Sequence, residues 1–583
     1  MKHRRLLAAL LVVSMLITFG VNVSAHPLTD TPRDILTAVV QQAAAAVGDA
    51  WDTLTLSWDT LFSPRGFWIA LDHTVTRLIT AVLAGIESII PAARPMETTE
   101  NYDGSGFLEG RTGAGRTFYL GYDSRSILPA DFGERGYRMG GFTFNKIATE
   151  TYDDLKVRTF VLDDGSGNGA VSFSVLDCIG FANADARLIR AALKDMTDSG
   201  QIASLNVSST HTHSGIDSQG LWGHDIFELL ATNMGAAWLP GIIQPVQGVD
   251  PTFLQTIIDQ TEASVRAAYA NLEPGTLSYS KTEAQNWFSD RLDPYIILEE
   301  VHRLTFSPSN KSHTGTIIAN FSAHPEKVGA ETSDNPGNVV SGDFVPYIEE
   351  TVNRAGYNFV FLQGAIGTRI SANTGFTNDD GQPRNRLQQT IRYGNKMGEL
   401  LLGMDAGESI EPTLSISHKQ FLLEVTNPIL KAVGKMWLAD NKMIRQPWTN
   451  KTFTLTEVGY LQLGDTVKAL LQPGETSPEL VVGGPNLTAA GSVTGRDYPL
   501  APLRASVDEN LLVFDLMNDS IGYIIADSDS TDLLIRYNAD GTLTDESTVN
   551  GNLNDALLLS FSPKVASTVG REFLALVQGA DAS

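Results

Sequence analysis

Apolar positions along this chain fall into three successive textures. Lys2-His3-Arg4-Arg5, the apolar run Leu6 to Val21 and the small exit Val23-Ser24-Ala25 predict an export signal, with a mature chain from His26. From about Arg33 to Ala93 the apolar spacing is helical, broken at Ser63-Pro64-Arg65-Gly66. Its second half, Phe67 to Ile90, is rich in Ile, Leu, Val and Trp, but Asp72, His73, Arg77 and Glu87 interrupt it and argue against a spanning helix. A helical hairpin packed on the body is one reading; contact with a membrane surface is the other. The segment 94–115, with Asn101-Tyr102-Asp103-Gly104-Ser105-Gly106, reads as loop.

From residue 117 the pattern alternates between strand and helix. Val157–Leu162 and Ala170–Leu176 predict neighbouring strands joined by the Asp163-Asp164-Gly165-Ser166-Gly167 turn. A helix over Ala184–Met196, with Asn183 as N-cap, leads to a strand at Ile202–Ser208, and that order implies some parallel pairing. Pro251–Leu272 reads as an amphipathic helix, and Gly315–Phe321, Asn358–Leu362 and Glu457–Leu463 as strands. The expected fold is α/β: mixed β-sheets flanked by helices, a site at strand ends, and a helical N-terminal segment in front. Residues 1–25 form the signal, 26–116 the hairpin and loop, and 117–583 one large domain.

Composition narrows the function. With 583 residues and 42% hydrophobic content the chain can bury a large core. A net charge of −25 excludes an electrostatic nucleic-acid binder. Cys178 is the single cysteine, so no intrachain disulfide forms.

Chemistry gathers at strand ends. In Asn206–Gly215, strand alternation places His211 and His213 on one face, a common start to a metal site because each imidazole can offer a neutral nitrogen. A second apolar run delivers His324 ahead of Pro325; Glu475 follows the Pro473-Gly474 turn; Tyr523 lies beside another strand segment. Loops at one sheet edge are where α/β proteins build sites, so these four exits can share one.

These residues resemble the neutral/alkaline (non-lysosomal) ceramidases. The resemblance rests on Thr210-His211-Thr212-His213-Ser214-Gly215, Phe321-Ser322-Ala323-His324-Pro325, Ser341-Gly342-Asp343, Pro473-Gly474-Glu475 and Asn518-Asp519-Ser520-Ile521-Gly522-Tyr523-Ile524, in the family's order between about residues 117 and 540. It implies a zinc-dependent amidase cleaving the N-acyl bond of ceramide or a related acylated lipid. His211, His324, Glu475 and Tyr523 would be the Zn2+ ligands and His213 a catalytic neighbour. Arg291 matches an arginine that holds the substrate head or the developing oxyanion, with an ion pair to Asp290 or Asp293 as its other reading. Tyr537 matches a further active-site tyrosine if two residues are inserted before it.

One loop departs from the family. Where the family has Gly-Asp-x-Ser-Pro-Asn, this chain has Gly367-Thr368-Arg369-Ile370-Ser371-Ala372-Asn373. Ile370 stands at the serine position and Ser371 one place later. Either Ser371 substitutes, or activated water works without a serine. Other histidine-pair hydrolases fit less well: Gly215 and Ile216 occupy the positions where an H-x-H-x-D-H motif needs Asp and His. The rival from another class is a non-catalytic exported protein that binds metal or lipid.

Overall fold

The computed structural model describes residues 84, 85, 87 and 92–581, apart from 102–106, 115, 143–144, 223–225, 240, 291–294, 330–337, 369, 450, 493–494 and 531–558. The export signal and nearly all of the 33–93 hairpin lie outside the described residues. Among the described residues, no helix is long and apolar enough to cross a membrane.

The strand textures of the sequence resolve into two sheets packed face to face. The first contains β1 (Phe118–Ser126), β2 (Lys156–Asp163), β3 (Ala170–Leu176), β4 (Ile202–Ser209), β5 (Glu273–Glu283), β6 (Glu300–Pro308), β7 (Gly315–Phe321) and β8 (Tyr357–Gln363). Their spatial order is β8-β7-β6-β5-β1-β2-β3-β4, with the short strand Glu408–Ser409 added beside β5. The pairs β3/β4 and β7/β8 are parallel and the other neighbours antiparallel. The second sheet contains β9 (Thr413–Val425), β10 (Thr452–Leu463), β11 (Val467–Leu471) and β12 (Leu512–Phe514).

Phe118, Leu120, Phe160, Phe173, Leu304 and Phe306 of the first sheet meet Leu414, Ile416, Leu461, Leu463 and Phe514 of the second in one apolar layer. Outside the first sheet pack α1 (Asn183–Ala192), α2 (Pro251–Ala270), α3 (Val345–Arg354) and α4 (Arg386–Gly403). The outer face of the second sheet is covered by α5 (Val565–Asp581). Four layers result, helices–sheet–sheet–helix, so strands such as β3 and β7 are buried on both faces. Apolar side chains therefore fall on both of their faces, with the polar Ser172, Ser174, Thr316 and Asn320 buried among them. The expected class, mixed sheets flanked by helices, is the observed one.

Two local expectations change. The segment 94–115 contributes strands at Glu97–Thr98 and Phe107–Ala114 to the second sheet, the latter antiparallel to β9. Asn183 is the first residue of α1 rather than its cap, with Ala182 at the cap position. Its N–H instead donates to Asp519 Oδ1 at 2.9 Å, and its own side chain donates to the Asn518 carbonyl at 3.0 Å. A tertiary contact has taken over the capping role. That helix also ends early, at Ala192, and a separate short helix runs Lys194–Asp198.

Arg190 of α1 reaches Glu457 of β10 with two hydrogen bonds, at 2.8 and 2.7 Å, tying an outer layer to the second sheet. Burial alone would raise the Glu457 carboxyl, but Arg190 overrides it and holds the group near about 2. The stabilisation is therefore complete above the ordinary value of 4.5 and is lost as pH falls through about 2. Arg190→Leu leaves Glu457 buried without its partner and is expected to cost about 3–5 kcal/mol. Urea denaturation at neutral pH measures the loss, and the variant should show a shallower acid dependence than the wild type.

Candidate metal centre

Three strand exits converge at one end of the sandwich. β4 leads to His211 and His213, β7 to His324, and β11 to Glu475. The strand pattern placed both histidines of the pair on one face, but β4 ends at Ser209 and His211 has a left-handed backbone, φ 65°. A residue with a side chain pays of order 1–3 kcal/mol for that conformation, and such strain collects at functional sites. The turn, rather than strand alternation, brings the two rings together, with centroids 4.8 Å apart.

His324 completes the group, its ring 4.9 Å from that of His211 and 5.5 Å from that of His213. One ligand atom from each of the three lies within 4.8 Å of the others, so the group can hold a metal ion. Each ring is fixed from behind by a backbone carbonyl. Nδ1 of His211 lies 2.6 Å from Ile179 O, that of His324 2.6 Å from Ile370 O, and that of His213 3.0 Å from Gly141 O. A carbonyl only accepts, so Nδ1 carries the proton and the lone pair is left on Nε2. This is the tautomer that metal-binding histidines use, set by the shell behind them.

Glu475 enters beside these nitrogens. Its Oε2 is 3.6 Å from His211 Nε2 and 3.4 Å from His324 Nε2, and among the described residues no group donates a hydrogen bond to it. A tetrahedral ion with bonds of ~2.0–2.1 Å separates its ligand atoms by ~3.3 Å. The observed spacings fit such an ion, and a buried carboxylate oxygen without a donor is costly otherwise. Burial pushes His211 down to about 3. Burial also acts downward on His324, but Glu475 beside it outweighs this and raises it. Burial acts upward on Glu475 itself; its two imidazole neighbours outweigh that and lower it. Tyr523 is brought alongside by register, because Glu475–Thr476 and Tyr523–Ile524 form a parallel pair with Glu475 opposite Tyr523.

The supporting residues were not legible as functional. Gln363, the last residue of β8, donates from Nε2 to Thr210 O at 3.1 Å and to Ala323 O at 2.9 Å, while its Oε1 accepts from Ala323 N at 3.2 Å. One buried amide thus joins the residues immediately before His211 and His324. Asp515 holds the third ligand strand, accepting from Thr476 N at 2.7 Å and Thr476 Oγ1 at 2.6 Å. Asp343, pushed up to about 7 by burial, accepts from Lys327 N and Val328 N just beyond His324. The only signal for Gln363 was a polar residue closing the apolar run Phe359-Val360-Phe361-Leu362.

The departing loop is also placed. Ile370 is fully buried in the core with Phe288, Phe321 and Phe361. Ser371 is fully buried too, bridged to His324 through the backbone, and among the described residues its hydroxyl has no hydrogen-bond partner. Arg291 and Tyr537 lie outside the described residues. Cys178, next to Ile179, is buried with its thiol pushed up to about 12, so it is held as an unreactive thiol.

A layered α/β body thus brings three imidazoles and a carboxylate together at strand ends, where they could hold a metal ion. The fold is that of neutral ceramidase, matching the resemblance carried by the five motifs. A crystal structure of neutral ceramidase from Pseudomonas aeruginosa superposes with a TM-score of 0.55 at 16% identity, covering 80% of this chain and 74% of that one. A ceramidase complexed with C2 gives 0.56 at 16% identity, covering 80% and 75%. No protein-family model and no curated protein matches the sequence.

Zinc, used as a probe ion, is expected to raise the melting temperature of the wild type and not that of His211→Ala or His324→Ala. Gln363→Leu retains every donor atom but frees the two strand ends, and should weaken zinc binding ~10–100-fold. Competition titration against a chelator measures this; unchanged affinity would remove Gln363 from the site's support.

Proposed function

We propose that this protein is an exported zinc-dependent amidohydrolase that cleaves the N-acyl bond of ceramide or a related acylated lipid. The observation that carries the reading is the buried His211, His324 and Glu475 set, spaced for one ion and flanked by His213, on a neutral-ceramidase fold. Nitrogen and carboxylate donors suit zinc. When bound, zinc supplies Lewis-acid polarisation and activates water for attack at neutral pH.

The chain's own residues supply the rest. His211, His324, Glu475 and Tyr523 are assigned as the ligands. His213 is less buried than His211 and His324, and Phe142, itself partly exposed, packs against its ring at 5.0 Å. Part of its ring therefore reaches the solvent side of the group, while Nε2 itself is buried and faces the other donors. There its Nε2 can take a proton from water during attack and return it to the leaving nitrogen. Arg291 is assigned to the oxyanion and Tyr537 to the substrate side. Ser371 is assigned a hydrogen bond to the reacting group, supported by its buried hydroxyl without a partner.

Purified protein should hydrolyse a fluorescent N-acyl sphingosine, lose activity with a chelator and regain it with zinc; His211→Ala should lose zinc and activity together. Ser371→Ala is expected to lower kcat by ~10²-fold or more with zinc content unchanged. The placement of Ile370 in the apolar core favours a second reading, a binding protein without turnover. Full zinc occupancy with no hydrolysis of amide or ester lipids would establish that one instead.

A further inference from the structure

After the histidine loop the described residues 226–239 and 241–247 form an outward excursion between Trp222 and Gly248. Its root is rigid. The Asp217 carboxylate accepts the N–H groups of Gln219 and Gly220 at 2.9 Å each and of Trp222 at 3.0 Å. The outgoing and returning chains pass so closely that a Cβ on Gly220 would lie 2.9 Å from the Gly248 carbonyl carbon, and one on Gly248 1.7 Å from Leu438 O. Within the excursion, Asn233 of the helix Ile226–Trp238 donates to Val246 O at 2.7 Å and accepts from Val246 N at 2.8 Å, joining the two legs.

The outer surface of this firmly tied element is apolar. Trp238 is 64% exposed, Leu239 47%, Ile242 78% and Val246 43%, with Met234 beside them in sequence at 37%. Charged residues make up 19% of the chain, yet positions 231–249 contain none. Exposed apolar side chains concentrated in one short segment mark an interaction surface. Tryptophan among aliphatic side chains suits the boundary between headgroups and acyl chains.

Charge selects the partner. A chain of net charge −25 is repelled by an anionic surface, and positions 221–247 contain no lysine or arginine to offset this, while Asp225 and Glu228 add to it. A zwitterionic bilayer has no such barrier. The site and the excursion are joined at the root, since Asn145 N donates to Trp222 O at 3.0 Å and Phe142, three residues earlier, packs on His213. Ala93 also lies here: its N–H donates to Lys435 O, and it shares an apolar cluster with Leu221, Val433 and Met436.

We infer that the exposed side chains of Trp238, Leu239, Ile242 and Val246 dock the protein on a zwitterionic lipid bilayer and hold the neighbouring candidate metal centre close to its headgroups. The benefit to catalysis rests on the acyl-lipid reading above; the docking itself does not. The test mixes the full mature chain with phosphatidylcholine vesicles and sediments them. Wild type should partition onto vesicles, and Ile242→Glu or Trp238→Glu should weaken partitioning at least ~10-fold. Turnover of a detergent-dispersed short-chain N-acyl substrate should stay unchanged in both. Trp238→Phe should still bind, with less quenching of its fluorescence by brominated phosphatidylcholine.

Absence of wild-type binding, or equal binding by the glutamate variants, overturns the inference. So does a wild-type dimer that Ile242→Glu dissociates, or a photo-crosslinker at position 242 that captures the chain's own residues before 92. Vesicle binding requires no turnover, so docking without hydrolysis of any acyl lipid sustains this inference while removing the substrate reading.

Discussion

The metal centre depends on two strand ends being held at a fixed separation by one buried side-chain amide. Gln363 donates to the carbonyls of Thr210 and Ala323, and these residues precede His211 and His324. Neither histidine lies within a regular strand, so the ladder hydrogen bonds of the sheet stop short of both. A loop without such a tie would let the imidazoles drift by more than an ion tolerates. The neutral amide bonds two backbone carbonyls and one N–H at once without placing a further charge behind the donors.

The same economy runs through the rest of the site. Three backbone carbonyls orient three imidazoles, and Asp515 and Asp343 hold the peptide N–H groups of the neighbouring loops. The exposed edge of β4 is closed by Asn518, whose backbone and side chain both bond to Val207. Polar groups are therefore spent on immobilising the chain behind the donors, while the apolar layer between the sheets supplies the rigidity against which they act.

Much of this was readable from the sequence where burial was symmetrical. Ala170–Leu176 and Gly315–Phe321 were recognisable as short, mostly apolar segments buried on both faces, and Ile202–Ser208 by its place after a helix rather than by an unbroken apolar pattern. His211, His324 and Glu475 stood out because each follows such a run. Phe107–Ala114 did not, since its two glycines and polar residues form a strand only against the long partner β9. Asn183 looked like a cap because the competing Asp519 is remote in sequence. The carbonyls of Ile179, Ile370 and Gly141 leave no sequence trace, because every residue has one. Gln363 is recognisable only once the ends of β4, β7 and β8 are known to meet.

The donors are also far apart in the chain, at positions 211, 324 and 475. Contacts of such long range form late in folding, after local helices and hairpins. A partly synthesised or partly folded chain accordingly has no assembled site to fill. First-row ions compete for nitrogen and carboxylate donors largely by availability, because intrinsic affinity does not favour zinc over copper. The identity of any ion held there would then record the compartment in which folding was completed, and metal selection would be a matter of cellular geography as much as of coordination chemistry.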